Sequence, residues 1–135
     1  MSAGDQTLVV VGAGPAGVMA AIEGSRWGLN VTVVDEQARI GGQYYRTRAD
    51  SPADGSPRHL TAAAQATEAR VNTTVFDAPA TGTLRTWSPD RGALDVPYDR
   101  LVLATGAYER AVALPGWTLP GVMTAGGMHA LAKNQ

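Results

Sequence analysis

Cysteine is absent from the 135 residues of this chain. Its absence excludes disulfides, thiolate chemistry, cysteine-ligated iron–sulfur clusters and cysteine zinc sites. Any redox chemistry must therefore come from a bound organic cofactor. An excess of charge is absent too: 11 Lys and Arg stand against 12 Asp and Glu, a net charge of −1. That balance leaves no electrostatic footprint for nucleic acid or an anionic membrane. No run approaches the roughly 18 apolar residues needed to span a bilayer. No Lys or Arg precedes Arg26, and a glycine turn interrupts the apolar N-terminal run, so it does not read as a signal peptide. The expectation is a cytoplasmic protein. Histidine is scarce, and His59 and His129 have no second His or Cys nearby. Neither is expected to ligate a metal or to act in catalysis, and no acid, base or nucleophile stands out in a partnered arrangement.

What is present is an ordinary globular composition, 44% apolar and 17% charged, in a length suited to one domain. The organising stretch is Thr7 to Glu36. Leu8-Val9-Val10-Val11 is short, apolar and β-branched, the pattern of a buried parallel strand. Gly12-Ala13-Gly14-Pro15-Ala16-Gly17 is a glycine turn, and Val18 to Ile22 opens a helix of small residues that Gly28 ends. Val31 to Val34 then runs as a second strand into Asp35.

Each piece has a task if the ligand is a dinucleotide. Gly12 permits the tight turn, Gly14 lets the backbone approach a pyrophosphate, and Gly17 lets the helix lie close to the strand. The helix start aims unpaired N–H groups and its positive dipole end at the phosphates, and Pro15 suits a first-turn position. Asp35 lies close to the roughly 20 residues beyond the glycines at which a ribose-binding acid is expected. A lone G-x-G-x-x-G is weak evidence in a chain with 16 glycines. Strand, turn, helix, strand and acid in register make it a dinucleotide-binding βαβ unit.

Further along, Gly41-Gly42-Gln43 offers a second place where backbone can pass close to a ligand, or else an ordinary loop. Tyr44, Tyr45 and Arg46 would flank a flat ring or pack on the protein's own surface. Ala49 to Pro57 reads as an exposed loop, with Ser56-Pro57 opening a helix that runs to about Arg70. Val71–Asp77 reads as a strand, and Thr81–Trp87 and Ala93–Tyr98 as an antiparallel pair turning at Pro89 and Gly92. Arg100 to Ala107 returns as a buried strand that ends in Ala104-Thr105-Gly106-Ala107. That is the strand edge where ligands lie in such sheets, or a plain strand terminator. Thr124 to Lys133 reads as the opening turns of a helix.

Taken together, VVVGAGPAG, VTVVDEQARIGGQYYR, LVLATGAYER and PGWTLPGVMTAGG resemble a known group. It is the FAD-containing subunits of bacterial heteromeric amine dehydrogenases and oxidases: opine oxidase, hydrogen cyanide synthase and proline or hydroxyproline dehydrogenase types. These share the broader fold of the pyridine nucleotide–disulfide reductases. The resemblance implies an α/β, Rossmann-like FAD-binding domain with a parallel sheet and an inserted antiparallel β-meander. By position it places the pyrophosphate loop on Gly12, Ala13, Gly14, Pro15, Ala16 and Gly17. The ribose acid falls on Asp35, with Glu36 and Gln37 beside the adenosine half. Gly41, Gly42 and Gln43 run towards the flavin, Val75 lies on the strand that meets the adenine, and Ala104, Thr105, Gly106 and Ala107 lie near the cofactor.

Relatives of this kind continue well beyond this length, so the expectation is an FAD-binding domain over residues 1–135 that is incomplete at its C-terminus. The resemblance implies oxidation of a secondary amine or amino-acid derivative. Electrons would pass to partner subunits, among them a second flavoprotein and an iron–sulfur subunit. A nucleotide-binding or assembly module without activity of its own is the alternative. NAD in place of FAD is another, because βαβ geometry alone fits both; Asp35 would repel the 2′-phosphate of NADP. The GGQ and ATG segments favour FAD.

Overall fold

The computed structural model describes residues 6–45 and 58–134. Strand β1 (Thr7–Val11) leads through the glycine turn into helix α1 (Pro15–Arg26), which returns the chain to β2 (Asn30–Val34). Helix α2 (Arg58–Ala66) precedes β3 (Glu68–Arg70). Then come β4 (Thr74–Ala80), β5 (Thr83–Ser88), β6 (Gly92–Pro97), β7 (Arg100–Leu103) and helix α3 (Ala125–Asn134). The parallel sheet runs β3-β2-β1-β7, and β4-β5-β6 form an antiparallel sheet of their own. This is the Rossmann-like architecture with an inserted meander that the sequence leads one to expect.

The apolar run of β1 is buried on both faces. Leu8 and Val10 pack with Ala13, Ala21, Val31 and Val33 on the α1 side. Val9 points the other way, into a cluster with Val34, Leu84 and Val96, where the antiparallel sheet covers the parallel one. Register explains the sorting: Leu8 lies beside Val31 and Val10 beside Val33, so like faces align across the pair. Val9, Val10, Val18 and Val34 are fully buried, each stabilising the fold by about 1.5–3 kcal/mol. A third cluster joins Val18 of α1 to Leu60 and Ala63 of α2.

Helix α1 ends as Gly28 leads one to expect. Gly28 takes φ 77°, its N–H bonds the Ser25 carbonyl at 3.0 Å, and the Leu29 N–H bonds the Gly24 carbonyl at 3.1 Å. That pair of bonds is the Schellman closure, which needs a left-handed residue at the turn.

Three expectations change. The helix expected to reach Arg70 stops at Ala66, and Glu68–Arg70 becomes strand β3, in register with Thr32–Val34. The open edge of β2 supplies backbone partners that override the helical reading. The strand expected from Val71 starts at Thr74, because Asn72 takes φ 49° and the Asn72 and Thr73 amides are drawn to the Gln37 and Asp35 carbonyls, 2.9 Å each. The strand expected to be buried, Arg100–Ala107, is four residues long and lies at the sheet edge, with Leu103 70% exposed. The readings made for Arg46, for the Ala49–Pro57 loop, for the Ser56-Pro57 cap and for the side chain of His59 lie outside the described residues. No helix among the described residues is long and apolar enough to cross a membrane.

Candidate cofactor-binding site

The carboxyl ends of β1, β2 and β7 meet at one edge of the parallel sheet, and the glycine turn sits at their centre. Its Gly12 N–H bonds the Val34 carbonyl at 2.8 Å, and the Ala104 N–H bonds the Val11 carbonyl at 2.8 Å. Gly12 takes φ 100°, and a Cβ built on it would lie 2.3 Å from the Ala104 carbonyl oxygen. A Cβ on Gly17 would lie 1.8 Å from the Gly12 carbonyl oxygen, so helix and turn touch through bare backbone. Both glycines are demanded by the protein itself.

Gly14 is different. Its φ of −69° and ψ of −178° are open to any residue, and a Cβ there would meet nothing within 4 Å. Gly14 caps α1 with Pro15 as the first helical residue, the N-cap offers no side-chain bond, and no acidic residue stands in the first turn. The first intrahelical bond runs from the Val18 N–H to the Gly14 carbonyl at 2.9 Å. The N–H groups of Ala16 and Gly17 therefore point out of the helix start without an intrahelical acceptor. Bare backbone, free N–H groups and a positive dipole end are what a pyrophosphate fits.

Asp35 lies at the tip of β2, half-buried. One carboxylate oxygen accepts the Ala13 N–H at 2.5 Å and the other accepts the Gln37 N–H at 2.7 Å. A carboxylate has about four lone-pair sites, so acceptor capacity remains for ribose hydroxyls. Gln37 is half-buried and Glu36 exposed, their side chains 3.4 Å apart. The approach to β4 closes this side, where the Asn72 and Thr73 amides bond the Gln37 and Asp35 carbonyls. Val75 itself pairs with Thr86, and its side chain packs with the Val9 cluster.

The Gly41–Gln43 segment folds back over the glycine turn. Gly41 donates to the Ala13 carbonyl at 2.7 Å, and a Cβ on Gly42 would lie 2.7 Å from the Gly14 Cα. Gln43 is exposed at the outer end of this segment, and Thr105, Gly106 and Ala107 are exposed beyond β7. The structure thus gathers the glycine turn, Asp35–Gln37, Gly41–Gln43 and Ala104–Ala107 along one edge. Val75 enters from the second sheet with its side chain turned to the core. Asp35 is the acid that bonds the glycine turn, whereas His129 is exposed on α3.

Sequence reasoning missed two groups near this edge. Lys133 reaches from α3 to the Tyr44 carbonyl, and Glu109 binds the start of α3. Neither contact has a local signal, because each joins segments far apart in the chain. Asn72 did carry one: asparagine tolerates the left-handed backbone that turns the chain towards Gln37. A separate small hollow lies between β3 and the antiparallel sheet, lined by Arg70, Thr73, Thr86, Ser88 and Arg91. Three of its polar side chains are already engaged, Thr86 with the Leu94 carbonyl, Ser88 with the Arg91 N–H and Arg70 with Glu68.

Known proteins resemble this chain in sequence and in fold. The chain is 37% identical over 142 residues to hydrogen cyanide synthase subunit HcnB of Pseudomonas protegens, covering 93% of this chain and 30% of that protein. It is 38% identical over 144 residues to an opine oxidase subunit of Agrobacterium tumefaciens, covering 93% of this chain and 29% of that one. The chain therefore spans less than a third of the length of these relatives, both of them subunits by name. Among solved structures, L-proline dehydrogenase from P. horikoshii superposes with a TM-score of 0.60 at 21% identity, over 79% of this chain and 24% of that one. That likeness supports the fold. The sequence profile of the pyridine nucleotide-disulphide oxidoreductases matches residues 6–133. FAD is the cofactor indicated by membership of that family. The chain belongs to the pyridine nucleotide-disulphide oxidoreductase family of flavin oxidoreductases.

Proposed function

We propose that residues 1–135 form an FAD-binding domain of a flavin-dependent oxidoreductase that oxidises a secondary amine or amino-acid derivative. The observation that carries the cofactor part is Gly14: the fold does not need a glycine there, and a close ligand backbone does. The glycine turn and helix start would hold the pyrophosphate, and Asp35, Glu36 and Gln37 the adenosine half. Gly41, Gly42 and Gln43 would line the path towards the flavin, with Val75 on the adenine side and Ala104, Thr105, Gly106 and Ala107 beside the cofactor. Bound flavin supplies two-electron redox chemistry, while the chain supplies position and electrostatics.

The substrate class rests on the names of the relatives, an opine oxidase and a hydrogen cyanide synthase. Both are subunits, which supports a heteromeric enzyme in which electrons leave through a second flavoprotein or an iron–sulfur subunit. A cytoplasmic setting is consistent with that reading. A second reading is a nucleotide-binding assembly module without activity of its own, and one observation favours it. Leu103, Tyr108, Val112, Leu114, Trp117 and Leu119 are all exposed, an apolar surface suited to another polypeptide.

Titration of the purified chain with FAD, and separately with NAD, tests the proposal by flavin fluorescence and calorimetry. Saturable binding of FAD alone is expected. Binding of NAD alone, or of neither by a chain that circular dichroism shows folded, would overturn the cofactor assignment. If FAD binds, reconstitution with candidate partner subunits and an opine or a secondary amino acid would test the substrate class.

A further inference from the structure

Helix α3 has no buried side chain among its described residues; Ala130 and Lys133 are half-buried and the rest exposed. Apolar packing therefore does not determine where it sits. Polar ties do, one at each end. At the N-terminal end the Glu109 carboxylate accepts the Gly126 N–H at 2.8 Å, with the Thr124 hydroxyl and Gly127 N–H also directed to it. At the other end the Lys133 ammonium donates to the Tyr44 carbonyl and stands 5.1 Å from the centre of the Tyr44 ring. Carbonyl and ring face both attract a cation.

These anchors belong to the two segments that border the candidate site. Glu109 follows the Ala104–Ala107 exit from β7, and Tyr44 follows Gly41–Gln43, which lies against the glycine turn. Helix α3 therefore joins one wall to the other. The wall at Gly41–Tyr44 needs such a tie. Gly41 and Gly42 take φ 119° and 58°, and glycine gives up more conformational freedom than any other residue when held in one state. Lys133 is also the single lysine of the chain.

We propose that Lys133 is a positioning residue of the cofactor site: by tying α3 to Tyr44 it holds Gly41–Tyr44 in the bent form that packs Gly42 on Gly14. The inference rests on reading this edge as the FAD site. The tie raises the fraction of chains whose site is already formed, and apparent affinity scales with that fraction. Lys133→Met keeps the aliphatic stem and removes the donor. Lys133→Arg keeps the positive charge and the donors.

The test compares the full chain with both variants in two measurements. Amide hydrogen exchange without cofactor reads the Gly41 N–H, bonded to Ala13, and the Tyr45 N–H, bonded to Gly41 at 3.2 Å. In Lys133→Met these two amides exchange about tenfold faster while β1 is unchanged, the loss of one charge-assisted bond. The dissociation constant for FAD rises by about the same factor, and Lys133→Arg restores most of both. Unchanged exchange in Lys133→Met overturns the proposal. So does faster exchange with unaltered FAD affinity, which would mark a tie that is structural only. Failure of the unsubstituted chain to bind FAD overturns the site reading itself, and is told apart because it appears before any substitution.

Discussion

The carboxylate of Asp35 reaches back across the edge of the sheet to accept the backbone N–H of Ala13 at 2.5 Å. An acid placed for ribose hydroxyls is thus also a brace for the glycine turn, and its other oxygen holds Gln37. Both bonds involve an ionised acceptor in a half-buried place, where such bonds stabilise by roughly 1.5–3 kcal/mol. Asp35→Ala is therefore expected to cost about 2 kcal/mol of stability even without cofactor, read as a lower urea midpoint at unchanged slope. It is also expected to weaken FAD binding. A midpoint equal to that of the unsubstituted chain would mean that the turn holds its shape without the acid.

The contrast between Gly14 and Gly17 separates what the fold needs from what a ligand needs. A Cβ on Gly17 collides with the Gly12 carbonyl, whereas one on Gly14 enters open space. Gly17→Ala is expected to destabilise the chain by several kcal/mol, the range of overpacking or worse. Gly14→Val is expected to leave a folded chain, with a thermal midpoint shifted little, that no longer binds FAD. Thermal melts and the same FAD titration check both. Retained FAD affinity in folded Gly14→Val would remove the pyrophosphate from this loop.

Most of the fold was legible in the chain because its requirements are local. Leu8–Val11 and Val31–Val34 announce buried parallel strands by composition, and Gly12 and Gly17 by spacing. Gly28 and Gly92 mark positions that do take φ 77° and 67°. Glu68–Arg70 was not legible. Two charged residues around an alanine carry no strand pattern, and they become β3 because β2 offers an edge and Arg70 pairs with Glu68 at 2.9 Å. For Leu101, Val102 and Leu103 the apolar run was plain, but their composition does not reveal that among the described residues a single neighbouring strand, β1, pairs with them. At the site, Gly12, Gly14, Asp35 and Gly41 were candidates from spacing and resemblance. The brace from Asp35 to Ala13 and the tie from Lys133 to Tyr44 join residues distant in sequence, and no local pattern encodes them.

Two glutamates set an expected acid limit to stability. The Arg70 guanidinium, through a hydrogen bond, holds the Glu68 carboxyl below the ordinary glutamate range, aided by the Thr32 hydroxyl and Arg91. The Thr124 hydroxyl and the Gly126 N–H do the same for Glu109. A carboxyl with a lowered folded-state pKa stabilises fully above its unfolded value. That contribution is lost as pH falls through the folded value. Urea midpoints are therefore expected to fall from about pH 5 downward, and to fall less steeply in a Glu68→Gln, Glu109→Gln double variant. Both side chains are largely solvent-accessible, so the effect is small and shrinks with added salt. Identical pH profiles for the two proteins would show that other carboxylates control the acid limb.

Strand β7 offers the clearest test of whether this chain needs a neighbour. It pairs with β1 on one side, and among the described residues no strand pairs with the other. Leu103 at its end is 70% exposed. Open edges with apolar side chains invite strand addition and self-association, and lysine placed on such an edge opposes both. Leu103→Lys removes little burial, so stability is expected to stay within about 0.5 kcal/mol of the unsubstituted value. Self-association, followed by sedimentation velocity over a concentration series, is expected to decrease. A pull-down with the partner subunit of the relatives' type should weaken in the same variant. Should both proteins sediment as identical monomers and capture the partner equally, the free edge of β7 would not be the contact surface. The exposed residues from Tyr108 to Leu119 would then be the next surface to substitute.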